Sequence, residues 1–420
     1  MKHRILTIAE NAKEASNTIR LLDSETKKEI LNAVANSIDH HQHTILKANA
    51  DDLKKGRAKG LAEPLLDRLS LTGRLDSIIE DVRKVAELLD PVGEIIEENI
   101  LPNGLKLSKK RVPIGVLAVI YEARPNVTVD VAALALKTGN CAILRGGKET
   151  LATNKAIMAA THKGLKKWDI SPYALQLIPI ASRSALKYLL TLDHAIDLVI
   201  PRGGAGLHAF CRQNSTIPVI TGGVGICHLF VDESANIQKA IPVIVNAKTQ
   251  RPSVCNALDT LLVHEEIAHK LFPRLLEALI DKGVTFRLDK RAWKEIAPED
   301  ETTFLKAEEE DWQTEWMSLI LGIKIVDSLE EAVHHIQRYS SSHSDGILTE
   351  SSENAALFIQ NIDSAAVYIN ASTRFTDGGQ FGFGAEIAVS TQKLHARGPM
   401  GPKELTTYKW IVEGNYHTRA

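Results

Sequence analysis

The residue best suited to covalent chemistry is Cys255, one of four cysteines in 420 residues. The other three lie within apolar strand-like runs or at the end of a helical turn: Cys141, Cys211 and Cys227. Cys255 stands in a polar stretch shortly after Lys248 and Arg251. A reactive thiolate needs partial exposure and a positive field. The sequence therefore favours Cys255 as a nucleophile, and a buried, inert thiol is the alternative reading.

A glycine-rich segment follows the apolar run at 195–200 and reads PRGGAG over residues 201–206. Residues 207–211 resemble the start of a helix, and Gly204-x-Gly206-x-x-Ala209 matches a dinucleotide-binding pattern. Glycines at such a turn let the backbone approach a phosphate. The acidic residue expected to bind a ribose is ambiguous, and Asp232 is the nearest candidate.

Two further polar groupings allow more than one reading. Gly146-Gly147-Lys148 follows the strand-like run 141–144 and predicts either an anion-binding turn or a simple tight turn. His40, His41 and His43 cluster between two helical patterns. No cysteine or carboxylate accompanies them at ligand spacing, so no metal site is expected.

Composition narrows the class of protein. Hydrophobic residues make up 44% of the chain and charged residues 24%, which is typical of a folded globular protein. The formal charge of −2 and the absence of a long single-sign block argue against nucleic acid or a membrane surface as partner. The polar N-terminal segment lacks the apolar core of a signal peptide, and few cysteines fit a reducing compartment, so a cytoplasmic protein is expected.

The hydrophobic period changes along the chain. The first hundred residues predict helices, with Asp23 or Ser24 capping one of them, and residues 100–235 alternate strand-like and helical runs, which predicts a doubly wound parallel sheet. A helix is expected from near Ser234, then a polar loop at 246–256, a strand at 258–264 and a second α/β layer. The acidic run 308–311 reads as a solvated loop.

Several blocks together resemble the aldehyde dehydrogenase superfamily, in particular its branch that reduces L-glutamyl 5-phosphate in proline biosynthesis. The blocks span nearly the whole chain: VPIGVLAVIYEARPNVTVDV (112–131), TGNCAILRGGKE (138–149), IDLVIPRGG (196–204), NAKTQRPSVCNALDTLLVH (246–264), HSDGILTE (343–350) and FGFGAEIAVSTQKLHARGPMG (381–401). This coverage leaves no room for an appended kinase domain, so a separate glutamate 5-kinase is expected to supply the substrate.

The resemblance implies an α/β architecture of three parts. They are a Rossmann-type NADP-binding domain at 1–97 and 112–233, a catalytic domain at 234–385, and an oligomerisation element at 98–111 and 386–420. A homo-oligomer is therefore expected.

The resemblance also assigns roles to individual residues. Cys255 matches the superfamily's nucleophile, and Asn126 in ARPN matches the asparagine that helps hold the oxyanion. Glu315 looks like the glutamate that contacts the nicotinamide ribose. The remaining cofactor residues would be Arg145, Lys148, Gly203, Gly204, Thr221 and Gly222. Candidates for the substrate's carboxylate and phosphate are Arg124, Arg251 and Arg374, since arginine binds oxyanions in bidentate fashion.

One departure from the superfamily bears on mechanism. Hydrolytic members read ELGGK with a general-base glutamate, whereas this chain reads ITGGV from Ile220 to Val224. A thioester on Cys255 would then be protected from water, as reduction of an acyl phosphate by NADPH requires. Lys148 and Arg145 favour NADPH because they would attract a 2′-phosphate. The rival readings are an enzyme that uses a CoA thioester and a catalytically inactive relative.

Overall fold

The computed structural model describes residues 1–222 and 224–419, so Gly223 of the ITGGV segment lies outside the described residues. The chain forms two compact units. Unit 1 consists of Met1–Thr221, Gly382–Ala388 and Met400–Ala420, and unit 2 consists of Gly222–Phe381 and Val389–Pro399.

Unit 1 begins with helices, as its hydrophobic period predicts. The Asp23 carboxylate accepts the Thr26 N–H at 2.7 Å and so caps the second helix, which confirms one of the two predicted caps. The helices of unit 1 are α1 Lys2–Ile19, α2 Ser24–His40, α3 Gln42–Ala58, α4 Glu63–Leu69, α5 Leu75–Glu87, α6 Asn126–Lys137, α7 Leu151–Lys166, α8 Arg183–Leu189 and α9 Ala205–Asn214.

A four-stranded parallel sheet forms the core of unit 1. The strands before residue 222 are β1 Ile95–Ile100, β2 Lys106–Pro113, β3 Val116–Tyr121, β4 Cys141–Arg145, β5 Leu175–Leu177 and β6 Leu198–Arg202. The sheet has the order β5-β4-β3-β6. Ile120 pairs with Arg145, and Tyr121 pairs with Arg202. The carboxyl ends of three strands therefore meet at one edge, where α/β folds place their ligands.

Unit 2 contains a larger parallel sheet of order β10-β9-β11-β8-β7-β12-β13. Its strands are β7 Cys227–Val231, β8 Leu258–His264, β9 Thr285–Leu288, β10 Phe304–Lys306, β11 Ile320–Val326, β12 Ser344–Leu348 and β13 Ala366–Ile369. Its helices are α10 Ile237–Thr249, α11 Glu265–Ile280, α12 Lys290–Ile296, α13 Leu329–Tyr339 and α14 Ser352–Asn361.

Both faces of this second sheet are covered by helices. The side chains of Leu229 and Leu261 point to one face, where α10, α11 and α12 pack. Phe230 and Leu262 point to the opposite face, where α13 and α14 pack. Alternating strand residues are thus buried on both sides, which confirms the predicted doubly wound α/β class.

Two local predictions in unit 2 are correct only in part: the helix and the exposure of the acidic run are confirmed, but the helix bounds and the loop conformation of the run are wrong. The helix predicted from near Ser234 begins at Ile237 with Asn236 as its cap, and it continues to Thr249 into the predicted loop. It continues because Ala247 and Lys248 are buried on its inner side. The acidic run at 308–311 is not an open loop, since Glu308 and Asp311 form a capping box for the 3₁₀ helix Glu309–Gln313.

The boundary between the units also differs from the predicted domain boundary at 233. Unit 2 already begins at Gly222, because β7 pairs with β8 and β12 of the second sheet. The functional roles of the domains stay predictions.

The chain's last strands are short except for one. β14 Ala388–Ser390 and β15 Gly398–Met400 form a two-stranded ladder, and β16 Thr406–Glu413 pairs antiparallel with β2. The hairpin β1–β2 and the C-terminal strand thus share a three-stranded sheet. Further 3₁₀ helices are Lys148–Thr150, Pro172–Ala174, Thr373–Phe375 and Lys403–Leu405. Among the described residues no helix combines the length and apolar character needed to cross a bilayer.

Candidate active site

Accessibility separates Cys255 from the other thiols. Cys255 lies between α10 and β8 and is half-exposed, whereas the other three cysteines are buried. Burial raises the pKa of Cys141 to about 12 and that of Cys211 to about 11. Burial also raises the pKa of Cys227 well above its ordinary value. Of the four, Cys255 is therefore the thiol suited to act as a nucleophile.

The main chain of Cys255 is held from behind by the start of β7. A Cβ atom at Gly225 would lie 1.5 Å from the Cys255 carbonyl oxygen, so only glycine fits there. The Cys227 thiol donates to the same oxygen at 3.2 Å. These two contacts fix the Cys255 backbone.

Lys248, expected to favour the Cys255 thiolate, has a different environment. Its side chain is fully buried, and Nζ donates to the Leu258 carbonyl at 2.8 Å. Nζ also lies 3.9 Å from Asp259 Oδ1. The expectation fails because Lys248 lies on the buried side of α10, where its charge is compensated by Asp259.

The positive field near Cys255 comes instead from two of the arginines in unit 2, Arg374 and its neighbour Arg251. Arg374, in the 3₁₀ helix Thr373–Phe375, donates from Nε to Gln250 Oε1 at 2.8 Å and from Nη1 to the Asn256 amide oxygen. Desolvation lowers the pKa of Arg374; the neighbouring Arg251 also lowers it, and Cys255 opposes the shift. Arg374 therefore interacts electrostatically with both Arg251 and Cys255.

Glu315 follows the 3₁₀ helix Glu309–Gln313 and is also close to the Cys255 loop, residues 250–257 between α10 and β8. Its Oε1 accepts the Gly225 N–H at 3.0 Å. Because Gly225 packs on the Cys255 carbonyl, the structure brings Glu315, Arg374, Arg251 and Cys255 together in unit 2.

In unit 1, Arg145 and Lys148 lie on either side of the glycine turn that follows β4. Arg145 is buried and donates through Nη2 to the Ala181 carbonyl, while its Nε is buried without a hydrogen-bond partner. Lys148 is exposed at the start of the 3₁₀ helix Lys148–Thr150.

The second glycine turn of unit 1 joins β6 to α9. Gly204 occupies the N-cap position of α9, and its N–H donates to Glu122 Oε2 at 3.3 Å. Arg202 ends β6, and its Nε is buried without a partner, as is His208 Nδ1 in the first turns of α9. The Arg202 Nε–H donor lies at the carboxyl edge of the sheet, where an anion would bind.

Asp232, the sequence's nearest candidate for a ribose ligand, is excluded from that role. It is buried after β7 in unit 2, and its carboxylate accepts from Ser234, Thr349 and Asn354. These bonds tie the end of β7 to the residues that follow β12.

Asn126 begins α6 in unit 1, with Arg124 just before the helix. The Asn126 Nδ2 donates to Asp130 Oδ2 at 3.0 Å, one turn further along the helix. Desolvation raises the pKa of Asp130 to about 6, while the Asn126 amide and Arg202 oppose the shift.

The ITGGV segment passes from one unit to the other, with Thr221 in unit 1 and Gly222 in unit 2. Ile220 is 2% exposed, and its N–H donates to the Val199 carbonyl at 2.9 Å. A Cβ at Gly222 would lie 2.2 Å from the Val389 carbonyl oxygen. Ile220 is therefore a core residue, and Gly222 permits a close backbone contact.

The comparisons place the chain in a family. The profile of the aldehyde dehydrogenase family matches residues 2–290, so the chain belongs to that family.

Relatives narrow the resemblance further. The gamma-glutamyl phosphate reductase of Escherichia coli (strain SMS-3-5 / SECEC) is 53% identical over 411 residues, which cover 97% of this chain and 98% of that protein. The crystal structure of gamma-glutamyl phosphate reductase from Thermotoga maritima superposes with a TM-score of 0.96 at 47% identity, covering 99% of this chain and 100% of the other. The crystal structure of the enzyme of the same name from Saccharomyces cerevisiae superposes with a TM-score of 0.53 at 31% identity, covering 99% of this chain and 98% of the other. The predicted resemblance is thus confirmed.

We predict that iodoacetamide will modify Cys255 well before any other cysteine in the native protein, because the buried thiols combine low access with raised pKa values. Mass spectrometry after brief exposure near pH 8 should find one modified site, and the denatured chain should show all four cysteines modified. Cys255→Ser is the control and should remain unmodified while folded. Comparable labelling of Cys141 or Cys211 would contradict the assignment.

Proposed function

We propose that this protein reduces L-glutamyl 5-phosphate to L-glutamate 5-semialdehyde and phosphate, using NADPH and a thioester on Cys255, as the second step of proline biosynthesis from glutamate. The half-exposed Cys255, flanked by arginines and alone among four thiols in its accessibility, carries the proposal. Family membership and the names of the relatives support the reaction class.

In the first step the Cys255 thiolate attacks the carbonyl carbon of the acyl phosphate. A carbon–sulfur bond forms, the carbon–oxygen bond to phosphate breaks, and phosphate leaves with the electron pair. By the family resemblance, Asn126 and the Cys255 backbone N–H would hold the oxyanion.

In the second step the thioester is reduced at its carbonyl carbon. The nicotinamide cofactor supplies the hydride when bound. The resulting thiohemiacetal on Cys255 collapses, which releases the aldehyde and returns the thiolate. Glu315 would fix the nicotinamide ribose beside this centre.

The substrate carries two anionic groups, and arginines are the candidates to bind them. Arg374 and Arg251 interact electrostatically with each other, and Arg374 is held by Gln250 and Asn256, which orients its guanidinium. Arginine's planar fork suits carboxylate and phosphate. Arg124, beside the ARPN motif, is the third candidate.

The residues of unit 1 fit an anionic dinucleotide. Buried Nε atoms without partners at Arg145 and Arg202, and the glycine turn at Gly203 and Gly204, provide donors and space for phosphate groups. Exposed Lys148 would attract a 2′-phosphate and so favours NADPH. Thr221 and Gly222 complete the proposed cofactor set.

The proposal extends to assembly and cellular setting. The β1–β2–β16 sheet exposes the apolar residues Ile95, Ile96, Ile100, Tyr408, Trp410 and Val412. Exposed apolar residues on one sheet favour association, here into a homo-oligomer. A separate glutamate 5-kinase would deliver the unstable acyl phosphate by channelling, and the reaction would take place in the cytoplasm.

The main test is the phosphate requirement of the reverse reaction. Because Ile220 stands where hydrolytic relatives have a base, the thioester should persist until phosphate attacks it. Enzyme, NADP and semialdehyde mixed in phosphate-free buffer should therefore give a burst of NADPH no larger than the active-site concentration. Rapid mixing should detect this burst, and added phosphate should restore turnover. Cys255→Ser should show neither. Fast multiple turnover to glutamate without phosphate would refute the proposal, and restoration by CoA instead would favour the CoA-dependent rival.

Removal of the Asn126 amide should slow the chemical step. We expect Asn126→Ala to lower kcat by roughly a hundred- to a thousandfold, the usual loss of one oxyanion donor. Steady-state kinetics provide the measurement, and Asp130→Asn is the control because it keeps the Asn126 amide. A change in KM alone would make Asn126 a ground-state binding residue.

Cofactor choice should depend on Lys148. Lys148→Glu should lower the NADPH/NADH ratio of kcat/KM, because a carboxylate repels a 2′-phosphate. Lys155→Glu makes the same charge change at another exposed position, on α7, and should leave the ratio close to its original value. An unchanged ratio in Lys148→Glu would show that the 2′-phosphate is bound elsewhere.

A further inference from the structure

The two elements that flank the Cys255 loop share a buried ion pair, formed by Lys248 of α10 and Asp259 of β8. Lys248 is 0% exposed and Asp259 2% exposed, and the amine lies 3.9 Å from Asp259 Oδ1. Lys248 Nζ also donates to the carbonyl of Leu258. Burying two charges is expensive unless their remaining bonding capacity is used. The other contacts of Asp259 therefore indicate what the pair is for.

The Asp259 carboxylate joins two segments that are far apart in sequence. Oδ1 accepts the N–H of Trp316 at 3.1 Å, and Oδ2 accepts the N–H of Cys227 at 3.4 Å. One side chain on β8 thus holds both the first residue of β7 and the residue after Glu315.

Those two segments meet again at the Cys255 backbone. Glu315 accepts the Gly225 N–H, and Gly225 packs against the Cys255 carbonyl. The Cys227 thiol donates to the same carbonyl. Asp259 is thus connected to Gly225 through Trp316 and Glu315, and it also bonds Cys227 directly. Gly225 and Cys227 both contact the Cys255 carbonyl, so these contacts form a closed ring of interactions around it.

We propose that Asp259, with Lys248 as its counter-ion, is a positioning residue that sets the location of the Glu315 carboxylate relative to the Cys255 nucleophile. The inference rests on the proposed function, in which Glu315 binds the nicotinamide ribose and Cys255 carries the thioester. Asp259 itself is buried and would act through Glu315.

The electrostatics agree with this role. Burial raises the pKa of Asp259 to about 7, and the Lys248 ammonium opposes that shift. Burial in turn lowers the pKa of Lys248 to about 8, against the attraction of Asp259. Lys248 thereby favours the ionised carboxylate, the form in which both oxygens accept from backbone N–H groups.

Asp259→Asn tests this ring of interactions because an amide has only one acceptor oxygen. Its NH₂ group would face one of the two backbone N–H groups, so one of those bonds must be lost. We expect the cofactor's KM and Kd to rise about tenfold or more, and kcat to fall, as for loss of a hydrogen bond to a charged group. Cofactor Kd is measured by titration of protein fluorescence without substrate. Asp232→Asn, a buried carboxylate beyond the other end of β7, is the control and should change only the melting temperature.

The double variant Lys248→Met/Asp259→Asn separates positioning from simple stabilisation. Removing both charges should recover the stability lost on breaking the pair. If Asp259 positions Glu315, the cofactor's KM and Kd stay raised although the melting temperature recovers. Recovery of KM, Kd and kcat together with the melting temperature would overturn the inference, as would an Asp259→Asn protein with unchanged constants. The double variant also serves if Asp259→Asn does not fold.

Failure of the proposed function would be recognised separately. In that case the unmodified protein would show no phosphate-dependent oxidation of glutamate semialdehyde. The alkylation rate of Cys255 still reports the position of its loop without any turnover. The inference expects that rate to change several-fold in Asp259→Asn and in the double variant, and to stay constant in Asp232→Asn. Equal rates in all of these proteins would count against it.

Discussion

The contact between Gly225 and the Cys255 carbonyl constrains the position of the loop that carries the thiol. No side chain can be added at Gly225, because its Cβ would lie 1.5 Å from the carbonyl oxygen and 2.4 Å from the carbonyl carbon. The loop that carries the thiol is therefore tied to the residues just before β7. A displacement of the start of β7 would move the nucleophile, and so the contacts of Gly225 and Cys227 contribute to the geometry of the site.

Environment rather than residue type distinguishes the four thiols. Cys227 and Cys255 are joined by a hydrogen bond, yet one is buried at the start of a strand and the other is half-exposed beside two arginines. Desolvation penalises a thiolate, and positive charge stabilises it. The loop between α10 and β8 thus carries a nucleophile candidate, and the start of β7 carries a thiol that serves as a hydrogen-bond donor to it.

The sequence predicted what depends on local pattern. Hydrophobic period predicted the helices of the first hundred residues, the strand–helix alternation that follows them and the strand at 258–264, and polarity around Cys255 predicted its exposure. The family resemblance was confirmed over nearly the whole chain. The assigned roles of the site residues stay predictions, because they depend on ligands and on reactions.

What the sequence reading missed depends on contacts between distant residues. Lys248 looked like a neighbour of Cys255, but it continues the stripe of Ile237, Ile241 and Ile244 at helical spacing, which is the signal that it is buried. Asp259 stands inside a buried strand rich in leucine and valine, a second signal. A basic residue on an apolar stripe and an acid within the following strand together predict a buried pair. The close approach of Gly225 has no comparable local signal.

The absence of a base at Ile220 follows the same reasoning about burial. Ile220 is 2% exposed and joined to Val199 by its N–H, so its side chain belongs to the core of unit 1. A carboxylate in that setting would be desolvated, its pKa would rise, and it would favour the neutral form, which cannot take a proton from water. An apolar residue at this position therefore stabilises the fold and supplies no base. In the proposed function, the lack of a base favours a long-lived thioester, whose acyl group could then be exchanged with phosphate rather than lost to hydrolysis.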